Sequence, residues 1–204
     1  MTPRNADLHG SAPDHAPAVL LMVDVINPFD FPEADQLLAH ARPMAQALAT
    51  FKARLRALGI PTIYANDNFG KWRSDLSAVL TECRKPGKRG AEIAERLHPD
   101  PDDYVVLKPK HSAFFSTTLD TLLTYLGAET IILAGVAGNI CVLFTANDAY
   151  LRDYRLIIPE DLMASNSRDL NDTARDQMRT VLKADIRPST AWTDEELREL
   201  KQRA

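Results

Sequence analysis

Residues 130–159, TIILAGVAGNICVLFTANDAYLRDYRLIIP, carry two apolar runs separated by a glycine turn and a helical pattern. The run Ile131–Leu133 is β-branched and aliphatic, and reads as a buried parallel strand. It ends at Gly135-Val136-Ala137-Gly138, and a helix is predicted to begin close to Cys141 and to continue through Thr145, Ala149 and Tyr150. A strand–turn–helix unit of this kind belongs to an open parallel sheet, in which ligands bind beyond the carboxyl ends of the strands. The unit places a thiol where a strand stops and a helix starts. There, unpaired N–H groups and the helix dipole favour negative charge, lower the pKa of a thiol and stabilise an oxyanion.

Outward from this unit the same alternation recurs. Ala18–Asp24 is a strand candidate ending in a carboxylate. Glu33–Leu58 is a helix, with Leu37, Leu38, Ala41, Ala45, Leu48, Phe51 and Leu55 at helical spacing and Gly59 as its stop. Pro61–Asn66 and Asp103–Lys108 read as further strands. Leu76–Cys83 and Ala91–Leu97 read as short helices. Thr117–Leu126 is a helix with Thr117 and Asp120 spaced as a capping box, and Asp169–Leu182 is another. Arg155–Ile158 and Ala184–Arg187 are the last strand candidates, and Thr193–Lys201 is a capped terminal helix. The predicted class is α/β: a three-layer α/β/α, Rossmann-like fold with a six-stranded, mostly parallel sheet. Residues 1–16 read as a flexible polar arm and 17–204 as one domain.

Bulk properties narrow the function classes. A net charge of −4 gives no electrostatic case for nucleic acid. No apolar run is long enough to cross a bilayer, and the amino-terminal residues lack the apolar core of a secretory signal. With only Cys83 and Cys141, a disulfide framework is not expected, and a cytoplasmic setting is. No cofactor is expected. The segment GVAGNIC lacks the third glycine of a dinucleotide fingerprint, and no Walker-type lysine follows a glycine loop. The histidines (His9, His15, His40, His98, His111) show no paired ligand spacing, so no metal is expected. The basic loop Lys85–Arg89 reads as a solvated linker.

Three reactive side chains fall at strand ends: Asp24, Lys108 and Cys141. A carboxylate can take a thiol proton, and an ammonium can hold the thiolate and orient the carboxylate. Backbone N–H groups at Ala137 and Cys141 can bind an oxyanion. Taken singly, each residue has a plainer reading: a small buried hydrophobe for Cys141, a turn or cap residue for Asp24, a surface charge for Lys108. Cys83 keeps its plain reading.

Four segments together resemble the isochorismatase-like cysteine hydrolases, a family that includes nicotinamidases, carbamoylsarcosine amidohydrolases and ureidoacrylate amidohydrolases. They are VLLMVDVINPF (19–29), LKPKHSAFFSTTLDTLL (107–123), ILAGVAGNICVLFTANDA (132–149) and YRLIIPEDLMAS (154–165). They stand in the family's order and span residues 18 to about 183. The resemblance implies Asp24, Lys108 and Cys141 as a catalytic triad and a cis peptide at Val136–Ala137. It implies hydrolysis of a C–N bond in a small amide, ureido or carbamoyl compound through a thioester. Family members commonly form dimers or tetramers, so a homo-oligomer is expected. One departure is Gly138, where the family often has threonine. Asn66, Asn68, Phe69 and Trp72 follow the second strand and are expected to shape the substrate pocket, with His111 and Phe114 from the lysine segment. Asp67 has no neighbouring histidine of the kind that nicotinamidases use for a metal. Two alternatives stand beside this reading: vinyl ether hydrolysis of the isochorismatase type, which does without the cysteine, and a non-catalytic binding protein on the same fold.

Overall fold

A computed structural model describes residues 15–69 and 75–202. Nearly all of the expected polar arm therefore lies outside the described residues. Ala16, at its end, is buried and donates its N–H to Leu126 O (2.8 Å).

The chain alternates as its sequence predicts. β1 (Ala18–Val23), β2 (Thr62–Asp67), β3 (Tyr104–Lys108), β4 (Thr130–Val136) and β5 (Arg155–Ile157) pair in the order β3-β2-β1-β4-β5, all parallel. The crossovers are α1 (Ala34–Ala57), α2 (Leu76–Cys83) with α3 (Ala91–Arg96), α4 (Leu119–Leu126) and α5 (Leu143–Tyr150). β6 (Met163–Ala164) pairs with the end of β4, and α6 (Arg168–Thr180) and α7 (Asp194–Gln202) follow.

The sheet is covered on both faces because its strands are apolar on both faces. Leu20 and Met22 of β1 join Ile132 and Ala134 of β4 in a core with α1, α2, α3 and α7. Val19, Leu21 and Val23 join Ile131 and Leu133 in the opposite core with α4, α5 and α6. The alternation is the period-two signature of strands, repeated on both sides of a buried sheet.

Two sequence-based expectations need correction. Ala184–Arg187 makes only an isolated bridge, Ile157 to Asp185, and the sixth strand is the two-residue β6. Thr117 does not form a capping box with Asp120; its hydroxyl accepts the Leu119 N–H (3.2 Å) and donates to Ala113 O (2.6 Å). The terminal helix is capped as expected. Thr193 N–H donates to Glu196 Oε2 (2.8 Å), and Glu196 N–H donates to Thr193 Oγ1 (3.2 Å). In the basic loop, Lys88 pairs with Asp30 and Glu82, and Arg89 with Asp35.

Candidate active site

The carboxyl ends of β1, β3 and β4 point to the same end of the sheet, with β2 between β3 and β1, and each delivers a reactive side chain. β1 and β4 come close there because Val23 lies opposite Gly135. A Cβ at Gly135 would stand 2.1 Å from Val23 O, and the residue sits at φ +130°, so only glycine fits. Immediately after this contact the chain turns at Asp24, whose φ is +53°. A non-glycine residue in the left-handed region is uncommon and concentrates at functional sites.

Asp24 Oδ2 lies 2.7 Å from Lys108 Nζ, and Oδ1 accepts the backbone N–H of Asp67 (2.7 Å). The Lys108 side chain is completely buried, and its ammonium also donates to Lys110 O (3.1 Å). Asp67 Oδ2 is 4.0 Å from the same ammonium. Asp24 and Lys108 both lie close enough to the Cys141 sulfur to act on it electrostatically, in opposite directions. Acid, amine and thiol, separated by more than a hundred residues from first to last, therefore meet at one point.

Cys141 lies in a π-helical turn, Gly138–Val142, that precedes α5; such turns recur at functional sites. The Val136–Ala137 peptide before it is cis. The turn is pinned from two sides. On one side, Thr145 Oγ1 donates to Cys141 O (2.7 Å) and accepts the Ala113 N–H (3.0 Å), which joins it to the lysine segment. On the other, Ser165 Oγ accepts the Asn139 N–H (3.1 Å) and donates to Asn171 Oδ1 (2.9 Å). These two side chains explain Gly138, since a Cβ there would lie 2.4 Å from Asn171 Oδ1 and 3.0 Å from Ser165 Oγ. Gly138→Ala is expected to cost about 1–3 kcal/mol by overpacking. The melting temperature should fall by several degrees, and Asn171→Ala in the same chain should recover part of the loss. An unchanged melting curve for Gly138→Ala would show that the turn is not held as described.

The electrostatics differ from the sequence reading in one respect. The helix start was expected to lower the thiol pKa. Burial, and then the charge of Asp24, push the Cys141 thiol up to about 12, against the pull of Lys108. Burial also raises Asp24, opposed by Lys108 and by the Asp67 N–H. Burial lowers Lys108, but the negative charges facing it, Asp24 foremost, outweigh that, raise it and keep it charged. The resting sulfur is thus a thiol beside a carboxylate whose affinity for protons is raised, with a fixed positive charge next to both. This arrangement suits proton transfer at the moment of attack better than a standing thiolate does. Burial likewise pushes Cys83 up to about 11, and the negative charges of Glu82 and Asp30 add to the rise.

The other expected pocket residues divide. His111 is beside the sulfur, Nδ1 to Sγ 3.8 Å, with its ring against Phe144. Asn68 and the exposed Phe69 line a cavity of about 450 Å³ together with Asn27, Pro28, Phe31 and Val79. Asn66 is fully buried; its amide donates to Ile26 O (2.5 Å) and accepts the Ile26 N–H (3.4 Å), so it braces the loop after β1. Phe114 is turned into the core, stacked on Tyr154 and covered by the Arg152 guanidinium. Trp72 lies outside the described residues. Sequence reasoning missed Asp67 as a partner of Asp24, and Ser165 and Asn171 as braces of the turn. The placement of Asp67 one residue past the expected strand end was the only available signal for it.

Comparisons with known proteins identify the family. A family model described as the isochorismatase domain matches residues 18–187. YaaI of Bacillus subtilis, an isochorismatase family protein, is 43% identical over 171 residues, which cover 84% of this chain and 93% of that protein. The ureidoacrylate amidohydrolase RutB of Methylobacterium radiotolerans is 28% identical over 174 residues, 72% of this chain and 67% of that one. Among solved structures, N-carbamoylsarcosine amidase from Thermoplasma acidophilum superposes with a TM-score of 0.60 at 29% identity, covering 86% of this chain and 98% of that one. The chain belongs to the isochorismatase family, a hydrolase family with amidohydrolase relatives.

Proposed function

We propose that this member of the isochorismatase family is a cysteine amidohydrolase that cleaves a C–N bond of a small amide, ureido or carbamoyl compound. The observation that carries the reading is the convergence of Asp24, Lys108 and Cys141 at the carboxyl end of the sheet, where the Asp24–Lys108 ion pair (2.7 Å) acts directly on the sulfur.

In this mechanism Asp24 takes the proton of Cys141 as the sulfur attacks the carbonyl carbon. The resulting oxyanion is held by the backbone N–H groups of Ala137 and Cys141. Collapse of the tetrahedral species breaks the C–N bond; the leaving nitrogen takes the proton from Asp24, and an acyl thioester remains on Cys141. Asp24 then deprotonates a water molecule that attacks the thioester, and the thiol leaves with that proton. Lys108 stays charged throughout and offsets the negative charge that moves between sulfur and carboxylate. We place the remainder of the substrate in the cavity beside Asn68 and Phe69, which none of the three catalytic residues lines but which is joined to Lys108 by the Asn68 N–H donated to Lys108 O (3.2 Å).

The relatives named for ureidoacrylate and N-carbamoylsarcosine favour a carbamoyl nitrogen as the leaving group. A screen of simple amides, ureides and carbamoyl amino acids for ammonia or amine release tests the reading, with Cys141→Ser as control. Release by the native chain alone supports it, and equal release by the control contradicts it. The pH dependence gives a second check. Asp24 must be ionised to act, and burial raises its pKa. The acid limb of kcat/KM should therefore lie above the ordinary carboxylate range of about 4. A limb at or below that range would mean that Asp24 is not the base.

A further inference from the structure

The triad approaches Cys141 from within the sheet edge, whereas His111 approaches it from the exposed side. His111 is solvent-exposed, and its Nδ1 lies 3.8 Å from Sγ, within sulfur hydrogen-bond range. The contact is built. The His111 ring packs on Phe144, one turn along from Cys141, with centroids 5.4 Å apart. The next residue, Ser112, donates to Asp148 of α5, and Ala113 N–H donates to Thr145. Three successive residues of the lysine segment are thereby keyed to the helix that carries the nucleophile, so the imidazole is held against the sulfur. Asp24 and Lys108 reach Cys141 independently of it.

We infer that His111 is a fourth catalytic group, whose Nδ1–H donates a hydrogen bond to the Cys141 sulfur and stabilises its thiolate as the proton passes to Asp24. The inference deepens the reading of Cys141 as a nucleophile and rests on it. No proton leaves the imidazole in this step: the S–H proton goes to the Asp24 carboxylate, the sulfur keeps the electron pair, and Nδ1–H remains bonded to nitrogen. The charged and titratable groups around His111 are Cys141 on the π-helical turn, Asp148 on α5 and Arg152 in the turn after it, and Lys108 and Lys110 on its own segment, with Asp24 at the far side of the sulfur. Asp148 is already engaged by Ser112 and Arg152, which leaves the sulfur as the partner of Nδ1.

The test is the rate of Cys141 alkylation by iodoacetamide across pH, followed by peptide mass spectrometry so that Cys83 is scored separately. It needs no amide substrate, so it stands or falls apart from the hydrolase reading. His111→Phe keeps a ring against Phe144 and removes the donor. His111→Asn places an amide N–H close to the position of Nδ1. In His111→Phe the alkylation rate at fixed pH should fall about tenfold, the scale of a hydrogen bond to a charged group, and the pH profile should move up by about one unit. His111→Asn should stay within about threefold of the native rate, on the same scale. Phe at the native rate, or Asn falling as far as Phe, would overturn the inference. The expected alkylation pattern without hydrolysis of any amide would uphold this inference and count against the proposed activity instead.

Discussion

Cys141→Ser is expected to lower the release of ammonia or amine by at least about 10⁴-fold, the order of loss when the nucleophile of a catalytic triad is removed. The reason is specific to this site. The hydroxyl of serine is a weaker acid than the thiol, and the environment raises even the thiol to about 12. A carboxylate base can draw a proton from sulfur under these conditions but not from the serine oxygen. The fold should be unaffected. Cys141 is only half-buried, and the backbone of its turn is held by Thr145 on one side and Ser165 on the other. The melting temperature of Cys141→Ser should therefore match that of the native chain. Parallel loss of activity and of stability would assign Cys141 to packing rather than chemistry.

Lys108→Met is expected to have the largest effect on stability, because it removes the countercharge of a buried carboxylate. Breaking a buried ion pair by deleting one partner costs about 3–5 kcal/mol, since the remaining charge is left without compensation. In Lys108→Met, Asp24 retains the Asp67 N–H and loses the 2.7 Å contact with Nζ. Burial already raises Asp24, and without Lys108 only the Asp67 N–H and Cys141 oppose that rise, neither of them a charge. A carboxylate whose folded-state pKa lies above its unfolded value is favourable to folding at low pH and costs stability as pH rises through the folded value. The deficit of Lys108→Met should thus be greatest at neutral pH and shrink as pH falls toward the ordinary carboxylate range. The double variant Asp24→Asn, Lys108→Met removes both charges and should regain most of the stability while remaining inactive. Thermal unfolding across pH checks both statements. A deficit independent of pH, or a double variant no more stable than the single one, would mean that the pair is not the buried unit described.

Much of this was legible in the sequence, for physical reasons that differ from one element to another. β1 and β4 are read easily because they are buried on both faces, so nearly every position is apolar and the run ends abruptly at Asp24 or at the glycine turn. α1 is read easily because its apolar stripe repeats over many turns. Asp24, Lys108 and Cys141 are found because a parallel sheet exposes only the ends of its strands to a ligand. β6 leaves no comparable trace: two residues cannot display a period, and their pairing depends on where β4 ends. The direction of the thiol shift depends on competition between desolvation, an adjacent carboxylate and an ammonium, and residue identities do not rank those terms. Asn66 and Phe114 were assigned to the pocket from position alone. Their side chains instead answer to Ile26 and to the Tyr154–Arg152 pair, partners distant in the chain.

The proposed mechanism forms a covalent bond between sulfur and acyl carbon. Rapid quenching of the native chain with its hydrolysable amide or ureide, followed by intact-protein and peptide mass spectrometry, tests that bond directly. A stoichiometric acyl adduct on the peptide containing Cys141, absent from Cys141→Ser and decaying at the rate of product formation, is the predicted result. Turnover at full rate with no adduct on Cys141 at any quench time would contradict it.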